Sequence, residues 1–238
     1  MKLSIIIPVY NEKLLLGEII TRCRRAVLPP AFSEREIVVV DDGSSDGTTE
    51  LLKSLGDIPE LKVHHSYVNH GKGCAVRVGL KLCTGDVVII QDGDLEYDPM
   101  VNYPILLASF VNNPTTRVVF GSRFLKTRWP EGMHFFNLVA NYILTWTVRL
   151  LYGSPITDEA TGYKVFRPEV LKQFSLHSRG FEFCPEFTAK VLRAGIPIIE
   201  VEIQYHGRRT FEGKKIKLQD GFIALATLIK WRFRPIKK

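Results

Sequence analysis

Short apolar runs alternate with amphipathic segments along the first half of the chain. The runs predict five strands: Leu3–Val9, Glu36–Val40, Leu61–His65, Asp86–Gln91 and Arg117–Phe120. Between the runs, apolar residues recur at helical spacing in four segments: Glu12–Val27, Asp46–Leu55, Lys72–Leu82 and Pro99–Val111. Strands that alternate with helices predict an α/β protein with a mostly parallel sheet and helices on both faces.

The second half is less regular than the first. It predicts helices Phe135–Tyr152, Phe187–Arg193 and Leu218–Trp231, and strands Tyr163–Phe166 and Ile198–Ile203. Neither a linker nor an internal repeat interrupts the 238 residues. We therefore expect a single domain over residues 1–216, followed by a basic amphipathic helix and tail over residues 217–238.

Polar clusters follow the predicted strands where each strand ends. They are Tyr10-Asn11-Glu12, Asp41-Asp42, the Asp92–Glu96 segment and Arg123. The carboxyl ends of parallel strands meet at one edge of a sheet, and ligands of such sheets bind there. The pattern therefore predicts one polar site built from four separate parts of the chain.

Asp92-Gly93-Asp94 places two carboxylates two residues apart at a strand end, with Glu96 close by. Carboxylate oxygens in such an arrangement suit Mg²⁺ or Mn²⁺, which share the rest of their coordination with water and phosphate. Gly93 is expected to leave room for a ligand against the backbone. The alternative for this short motif is a solvated turn.

Two further motifs allow both a structural and a functional interpretation. In the Asp41–Gly47 segment, Ser45 or Asp46 is expected to cap a helix, while Asp41 suits hydrogen bonding to a base or ribose. Gly71-Lys72-Gly73 favours a helix start, although it also resembles a phosphate-binding loop. Its spacing lacks the full pattern of a nucleotide-binding glycine motif.

Composition and charge exclude several classes. Apolar residues make up 45% of the chain and charged residues 24%, which is ordinary for a globular protein. The four cysteines have no metal-binding spacing and are expected to be reduced thiols. No apolar stretch is long enough for a transmembrane helix, and the first residues do not resemble a signal peptide.

The net charge of +7 lies at one end of the chain. Residues 214–238 hold eight of the 32 Lys and Arg residues and one of the 25 acids, which leaves 24 of each sign elsewhere. A neutral body argues against a nucleic-acid groove. The basic end predicts an anionic partner.

Taken together, the motifs resemble one family. The segments that carry the resemblance are Ile7–Glu12, Val39–Thr48, Asn69–Gly73, Gln91–Pro99, Gly121–Arg123, Thr157–Phe166 and Tyr205–Ile216. They are similar to the inverting glycosyltransferases of family 2 with the GT-A fold, a Rossmann-like single domain. The later segments resemble the branch of dolichyl-phosphate mannose and glucose synthases.

The resemblance implies roles position by position. The nucleoside pocket would contain Pro8, Tyr10, Glu12, Val39 and Asp41. The metal and diphosphate motif would contain Asp92, Gly93, Asp94 and Glu96, with Asp92, Asp94 and Glu96 as metal ligands; Gly93 stands where alanine is usual. Asp94, together with the cations that hold the diphosphate and the acceptor phosphate, would be catalytic; those cations are Arg123, Arg208 and Lys214.

The implied reaction moves a hexose from a nucleotide-sugar, GDP-mannose or UDP-glucose, to a polyprenyl or dolichyl phosphate with Mg²⁺ or Mn²⁺. A phosphate acceptor is already anionic and needs no strong base. A hydroxyl acceptor in cell-envelope polysaccharide synthesis would need one, and Asp94, Glu96 and Asp158 are the candidates. A non-catalytic nucleotide-sugar binding protein is the other alternative.

The C-terminal helix suits an enzyme that acts on lipids. Phe222, Ile223, Leu225, Leu228, Ile229 and Trp231 lie beside basic residues, a pattern typical of an anchor on an anionic membrane surface. The predicted Phe135–Tyr152 helix is a second candidate. For both helices the alternative is a place in the core. We expect a peripheral protein on the cytoplasmic face of a membrane.

Overall fold

The computed structural model describes residues 1–207 and 218–236. Its centre is a sheet with strand order β3-β2-β1-β4-β6-β5-β7. The strands are β1 (Lys2–Val9), β2 (Glu34–Asp41), β3 (Leu61–His65), β4 (Val87–Ile90), β5 (Val118–Ser122), β6 (Lys164–Phe166) and β7 (Ile198–Glu202). All neighbouring pairs are parallel except the two made by β6. The expectation of a mostly parallel α/β domain is confirmed.

Helices cover both faces of the sheet. They are α1 (Leu16–Arg25), α2 (Thr48–Ser54), α3 (Lys72–Leu82), α4 (Pro99–Asn112), α5 (Phe135–Tyr152), α6 (Phe183–Arg193) and α7 (Leu218–Phe233). A short 3₁₀ turn spans Pro168–Lys172. Because side chains alternate between the faces of a strand, Ile5 and Ile7 enter the core beneath α1 and α4, while Ile6 enters the core beneath α3 and α6.

The short β6 lies between β4 and β5 and runs antiparallel to both. The sequence pattern predicts this strand but not its direction, since alternation carries no information about orientation.

Helix α6 begins at Phe183, four residues before the predicted start. Asp46 accepts a hydrogen bond from the Thr48 N–H at 2.9 Å, as the capping prediction expects, although the residue directly before α2 is Gly47.

Helix α7 packs against α5 and α6. Its buried residues Ala224, Leu228 and Trp231 join Leu144 and Val148 of α5 in one apolar cluster. Leu228 and Trp231 therefore belong to the core, as the alternative for this helix predicts. The opposite face of the helix is exposed and includes Phe222, Ile223, Ile229 and Phe233.

Two expectations from the sequence concern membrane-spanning helices and the state of the cysteines. Within residues 1–207 and 218–236, no helix is long and apolar enough to cross a membrane. The thiols of Cys23, Cys74, Cys83 and Cys184 are free.

The topology collects the predicted polar clusters at one edge. In the pairing of β1 with β2, Val9 lies opposite Asp41. Strand β4 runs parallel to β1 and ends at Ile90, immediately before the Asp92 motif. Strand β5 has the same direction as β4, because both are antiparallel to β6, so Arg123 follows β5 at this same edge.

The amino-terminal edge of the sheet is fastened by one buried carboxylate. Glu36 accepts hydrogen bonds from Ser4 Oγ at 2.6 Å and Lys62 Nζ at 2.8 Å, and also from the backbone N–H of Thr84. Burial alone would raise the pKa of Glu36, but these hydrogen bonds outweigh it and lower the pKa to about 2.

We expect the stability that Glu36 contributes to depend on pH. Because its pKa is lower in the folded than in the unfolded protein, this contribution is present at neutral pH and is lost as the pH falls from about 5 towards 2. Glu36→Gln should lower the free energy of unfolding at pH 7 by about 2 kcal/mol and flatten its pH dependence. Urea unfolding at pH 7, 5 and 3 tests this. Glu34→Gln, an exposed change on the same strand, should retain the wild-type profile.

Candidate active site

The loop after β4 is held by the side chain of Gln91, which has no exposed surface. Its Nε2 donates to the carbonyl oxygens of Asp92 at 3.1 Å and Tyr97 at 3.3 Å. Its Oε1 accepts from the hydroxyls of Tyr103 at 3.1 Å and Tyr163 at 2.8 Å. One amide thus fixes both ends of the loop that carries the paired carboxylates.

Asp92 is paired with a lysine from α3. The Nζ of Lys72 contacts Asp92 Oδ1. Burial on its own would lower the pKa of Lys72, but the Asp92 carboxylate more than offsets this and raises the pKa above its usual value. A protonated ammonium group therefore lies directly on the first carboxylate of the motif.

The Gly71-Lys72-Gly73 segment is positioned by Asp42. The Asp42 carboxylate accepts the backbone N–H groups of His70 at 2.9 Å and Gly71 at 2.7 Å. Gly71 has φ +96°, and a Cβ there would lie 2.5 Å from the carbonyl oxygen of Arg179, so only glycine fits. The glycine thus begins a helix, as favoured above, and it aims Lys72 at the site.

The second carboxylate of the motif is buried at the base of the same loop. Asp94 is 9% exposed, and its Oδ1 accepts the backbone N–H of Glu96 at 3.1 Å. The carbonyl oxygen of Glu96 in turn accepts the N–H of His206 at 3.0 Å. This contact joins the loop to the start of the segment that contains Arg208.

In the part of the chain that the structure describes, no group of three or more His, Cys, Asp and Glu side chains is placed to hold a metal ion. The predicted ligand set of Asp92, Asp94 and Glu96 is therefore not assembled as a three-residue cage. The donor set still fits Mg²⁺ or Mn²⁺, since these ions commonly use one or two carboxylates and take the remaining ligands from water and substrate phosphates.

The predicted nucleoside pocket lies at the ends of β1 and β2. Asp41 is buried, and its carboxylate accepts hydrogen bonds from Ser44 N at 3.0 Å and Thr49 Oγ1 at 2.5 Å and lies 3.1 Å from His65 Nδ1. Burial would raise the pKa of Asp41, and these hydrogen bonds lower it below its usual value. Its carboxylate is thus ionised and already held by protein groups.

The other residues of this pocket differ in accessibility. Tyr10 is 37% exposed, and Pro8 and Glu12 are partly exposed. The Val39 side chain is fully buried in the core. A Cβ on Gly93 would lie 2.9 Å from Val9 Cγ1, so the absence of a side chain accommodates Val9. The expectation that Gly93 leaves room for a ligand against the backbone stays a prediction.

Arg123 is held by a carboxylate 35 residues further along the chain. Its Nε and one terminal nitrogen each donate to Asp158 at 2.7 Å, and the same terminal nitrogen also donates to Asn141 at 3.0 Å. The side chain is only 7% exposed, and its guanidinium carbon lies 5.2 Å from the centre of the Tyr205 ring. Burial would lower the pKa of Arg123, but Asp158 raises it well above its usual value.

Several residues of this edge were not assigned by sequence reasoning. Gln91, Asp42 and the pairing of Lys72 with Asp92 are visible only once the strands are assembled. Asp158 was named only as a candidate base, although its place in the Thr157–Phe166 motif was a signal.

Arg208 and Lys214 lie outside the described residues, so their assigned roles stay predictions.

A model of one protein family matches most of the chain. The model described as "Glycosyl transferase family 2" matches residues 4–174, which include the Asp92 motif and Arg123. The chain belongs to glycosyl transferase family 2. The resemblance inferred from the motifs is confirmed.

Curated relatives carry names that agree with the predicted branch. A "Dolichol-phosphate mannosyltransferase" of Pyrococcus furiosus is 31% identical over 222 residues, which are 91% of this chain and 61% of that protein. The chain thus spans less than two thirds of this relative. An "Undecaprenyl-phosphate mannosyltransferase" of Micrococcus luteus is 30% identical over 244 residues, covering 97% of this chain and 94% of that one.

Solved structures support the fold. Glucosyl-3-phosphoglycerate synthase from Mycobacterium tuberculosis, determined with Mn²⁺, UDP and phosphoglyceric acid, has a TM-score of 0.74 to this chain. The match covers 98% of this chain and 79% of that one at 17% identity. At that identity the similarity establishes the GT-A fold alone.

We expect Asp158→Asn to lower the free energy of unfolding of the protein. The substitution would leave a buried guanidinium without its carboxylate, which costs about 3–5 kcal/mol in comparable buried ion pairs. Chemical denaturation of the purified variant measures this loss. Asp57→Asn, at an exposed position, is the control and should change stability by less than about 0.5 kcal/mol. A loss for Asp158→Asn as small as that of the control would contradict the structural role of the pair.

Proposed function

We propose that this family 2 protein transfers a hexose from a nucleotide-sugar to a polyprenyl phosphate, with inversion at the anomeric carbon. The observation that carries the proposal is the Asp92-Gly93-Asp94 loop at the carboxyl edge of the sheet, with two protonated cations beside it. Lys72 forms an ion pair with Asp92. Arg123 stacks over the ring of Tyr205, whose centre lies 5.4 Å from the ring centre of Tyr97 in the same loop. A diphosphate leaving group needs such fixed positive charge.

Asp94, with Glu96 near it, would hold a divalent cation together with oxygens of the donor diphosphate. Bound there, Mg²⁺ or Mn²⁺ would act as a Lewis acid that stabilises the charge on the departing nucleoside diphosphate. Asp92 is already neutralised by Lys72, so it orients the lysine and the loop. Solved neighbours of this fold contain Mn²⁺ or Mg²⁺ with UDP, which supports a divalent ion here.

The pairing of Asp158 with Arg123 removes one of the three candidate bases for a hydroxyl acceptor, which supports a phosphate acceptor. A hydroxyl acceptor needs a general base, and Asp158, one of the three candidates, is fully buried and committed to Arg123. A phosphate oxygen is anionic at neutral pH and attacks C1 without losing a proton. The bond from C1 to the diphosphate then breaks on the opposite face, and the diphosphate leaves. Arg123, Arg208 and Lys214 are proposed to hold the acceptor phosphate and the leaving group.

The exposed surface of α5 and α7 supports a lipid acceptor. A groove of about 520 Å³ on α5 is lined by apolar and aromatic side chains, Val139, Tyr142, Ile143, Trp146 and Leu150 among them. On α7, Phe222 and Phe233 are exposed apolar side chains, and Lys230 and Arg232 are exposed bases. Apolar side chains next to bases match an anionic lipid surface, so we propose peripheral binding at the cytoplasmic face of a membrane.

An assay with a panel of donors identifies the donor and tests the acceptor. Purified protein is mixed with GDP-mannose, UDP-glucose or UDP-GlcNAc, a polyprenyl phosphate and Mn²⁺ or Mg²⁺, and label is followed into the lipid extract. Transfer from one donor, abolished by EDTA, is the expected result. Label transferred only to a polyprenol or polysaccharide hydroxyl would favour the other class of transferase. Donor binding without any transfer would favour a binding protein.

We expect Asp94→Asn to lower transfer by about 100-fold or more, because a neutral amide is a weaker ligand for a hard cation. The thermal unfolding temperature should stay near that of the wild type, since the amide oxygen can still accept the Glu96 N–H. Initial rates at saturating Mn²⁺ measure the effect, with Asp57→Asn as an exposed control. Near-wild-type turnover would contradict the assignment of Asp94 to the metal.

We expect Trp146→Ser with Leu150→Ser to weaken binding to anionic vesicles by at least about ten-fold, since both apolar side chains would enter the lipid interface. Trp146 is 63% exposed and Leu150 84%. Leu14→Ser is the matched control, because Leu14 is 92% exposed but lies outside α5 and α7. Co-sedimentation with phosphatidylglycerol vesicles across a salt series measures binding. Equal binding by all three proteins would contradict the proposed surface.

A further inference from the structure

The turn over residues 158–162 contacts the site at both of its ends. At its start, the Asp158 carboxylate accepts three hydrogen bonds from Arg123, one of them from the backbone N–H. At its end, the N–H of Gly162 donates to the hydroxyl of Tyr97 at 3.3 Å. A displacement of this turn therefore reaches Arg123 and the loop after β4 together.

Gly162 also packs directly on Asp92. A Cβ at position 162 would lie 2.6 Å from Asp92 Oδ2 and 3.1 Å from Tyr97 Cε2. Asp92 cannot simply rotate away, because its other oxygen is held by Lys72. The turn is thus a wall against the first carboxylate of the motif, and only glycine leaves that carboxylate in place.

The turn is fixed by a lysine that has no exposed surface. Lys164, the first residue of β6, donates from Nζ to the carbonyl oxygens of Glu159 at 2.9 Å and Thr161 at 3.0 Å. The ammonium group also lies 4.3 Å from the centre of the Phe120 ring, on the strand directly opposite. A buried cation bound to two carbonyls of one turn restrains the backbone of that turn.

We propose that Lys164 is a positioning residue: through the 158–162 turn it sets the places of Asp92 and Arg123 at once, without itself touching substrate. The inference rests on the proposed function for its catalytic meaning. Lys164 and Gly162 act on the same carboxylate from two directions, one by holding the turn and the other by leaving space. Changing either should therefore give the same functional defect.

The test uses Lys164→Met, which keeps an unbranched apolar stem but removes the two hydrogen bonds, and Gly162→Ala, which adds one methyl group. Mn²⁺ binding in the presence of GDP or UDP is followed by electron paramagnetic resonance. Because Asp92 orients the loop that carries Asp94, displacing Asp92 should disturb the metal site indirectly. Disturbed supporting groups commonly weaken metal binding by about 10–100-fold, and both variants should show about ten-fold weaker binding. Turnover should show the same shift in the Mn²⁺ concentration needed for half activity.

Two matched variants separate positioning from general destabilisation. Val87→Ala removes buried volume at the opposite end of β4, and Gly17→Ala adds a methyl group where nothing lies within 4 Å. Val87→Ala should lower the unfolding temperature and leave Mn²⁺ affinity unchanged. Gly17→Ala should leave Mn²⁺ affinity unchanged and should not lower the unfolding temperature, since alanine favours a helix over glycine. If Lys164→Met does not fold, Lys164→Arg takes its place, because it keeps the positive charge but not the geometry of the two hydrogen bonds.

Crystal structures of the metal-free variants complete the test. In Gly162→Ala the Asp92 carboxylate should leave Lys72, and in Lys164→Met the turn should move by about 1 Å or more, a displacement large enough to impair catalysis. Unchanged Mn²⁺ affinity together with unmoved Asp92 and Arg123 would overturn the inference. If the wild type binds no Mn²⁺ with either nucleotide, the proposed function fails, and the crystal structures alone decide the positioning role.

Discussion

Gln91 follows the last residue of β4 and is completely enclosed, so both ends of its amide must find partners within the protein. It meets this requirement by donating to two carbonyls of the loop that it precedes and by accepting from two tyrosine hydroxyls. An amide in this position has little freedom, since any rotation would leave a buried polar group unsatisfied. The direction of the Asp92 motif follows from that constraint.

Two cations at this edge of the sheet are each paired with a carboxylate. Lys72 neutralises Asp92, and Asp158 neutralises Arg123, so the two cations are held in place by carboxylates. A buried pair such as Arg123–Asp158 adds little net stability over an apolar replacement, because desolvation opposes the attraction between the charges, although removing one partner alone is costly. In the proposed reaction the value of these pairs would be preorganisation, because charge that is already fixed needs no rearrangement when a diphosphate binds or leaves.

The sequence predicted those features that depend on local periodicity. The alternation of strands and helices and the shared edge of Asp41, Asp92 and Arg123 follow from spacing along the chain. Contacts between distant residues did not follow. Asp158 lies 35 residues from Arg123, and no local pattern indicates that this carboxylate occupies the guanidinium.

Other differences also have physical reasons. The direction of β6 depends on the long connection from β5 through α5, and a three-residue strand has no periodicity that could reveal it. Trp231 has the kind of side chain expected of an interfacial anchor, yet it is buried in the core, with the centre of its ring 3.4 Å from the Nζ of Lys190. Leu150 has the same apolar character and is almost fully exposed. Apolarity alone does not distinguish the two environments.

Asn141 connects helix α5 to the candidate active site. Its side chain bonds Arg123 on the inner face of the helix, while Ile143, Trp146 and Leu150 lie on the outer face. An α-helix with its side chains is about 10–12 Å across, so these two faces lie about that far apart. If the outer face rests on lipid, the helix acts as a rigid spacer between the bilayer and the guanidinium. The depth at which a phosphate headgroup meets Arg123 is then set by the geometry of one helix, and the headgroup need not be lifted out of the membrane by a moving part.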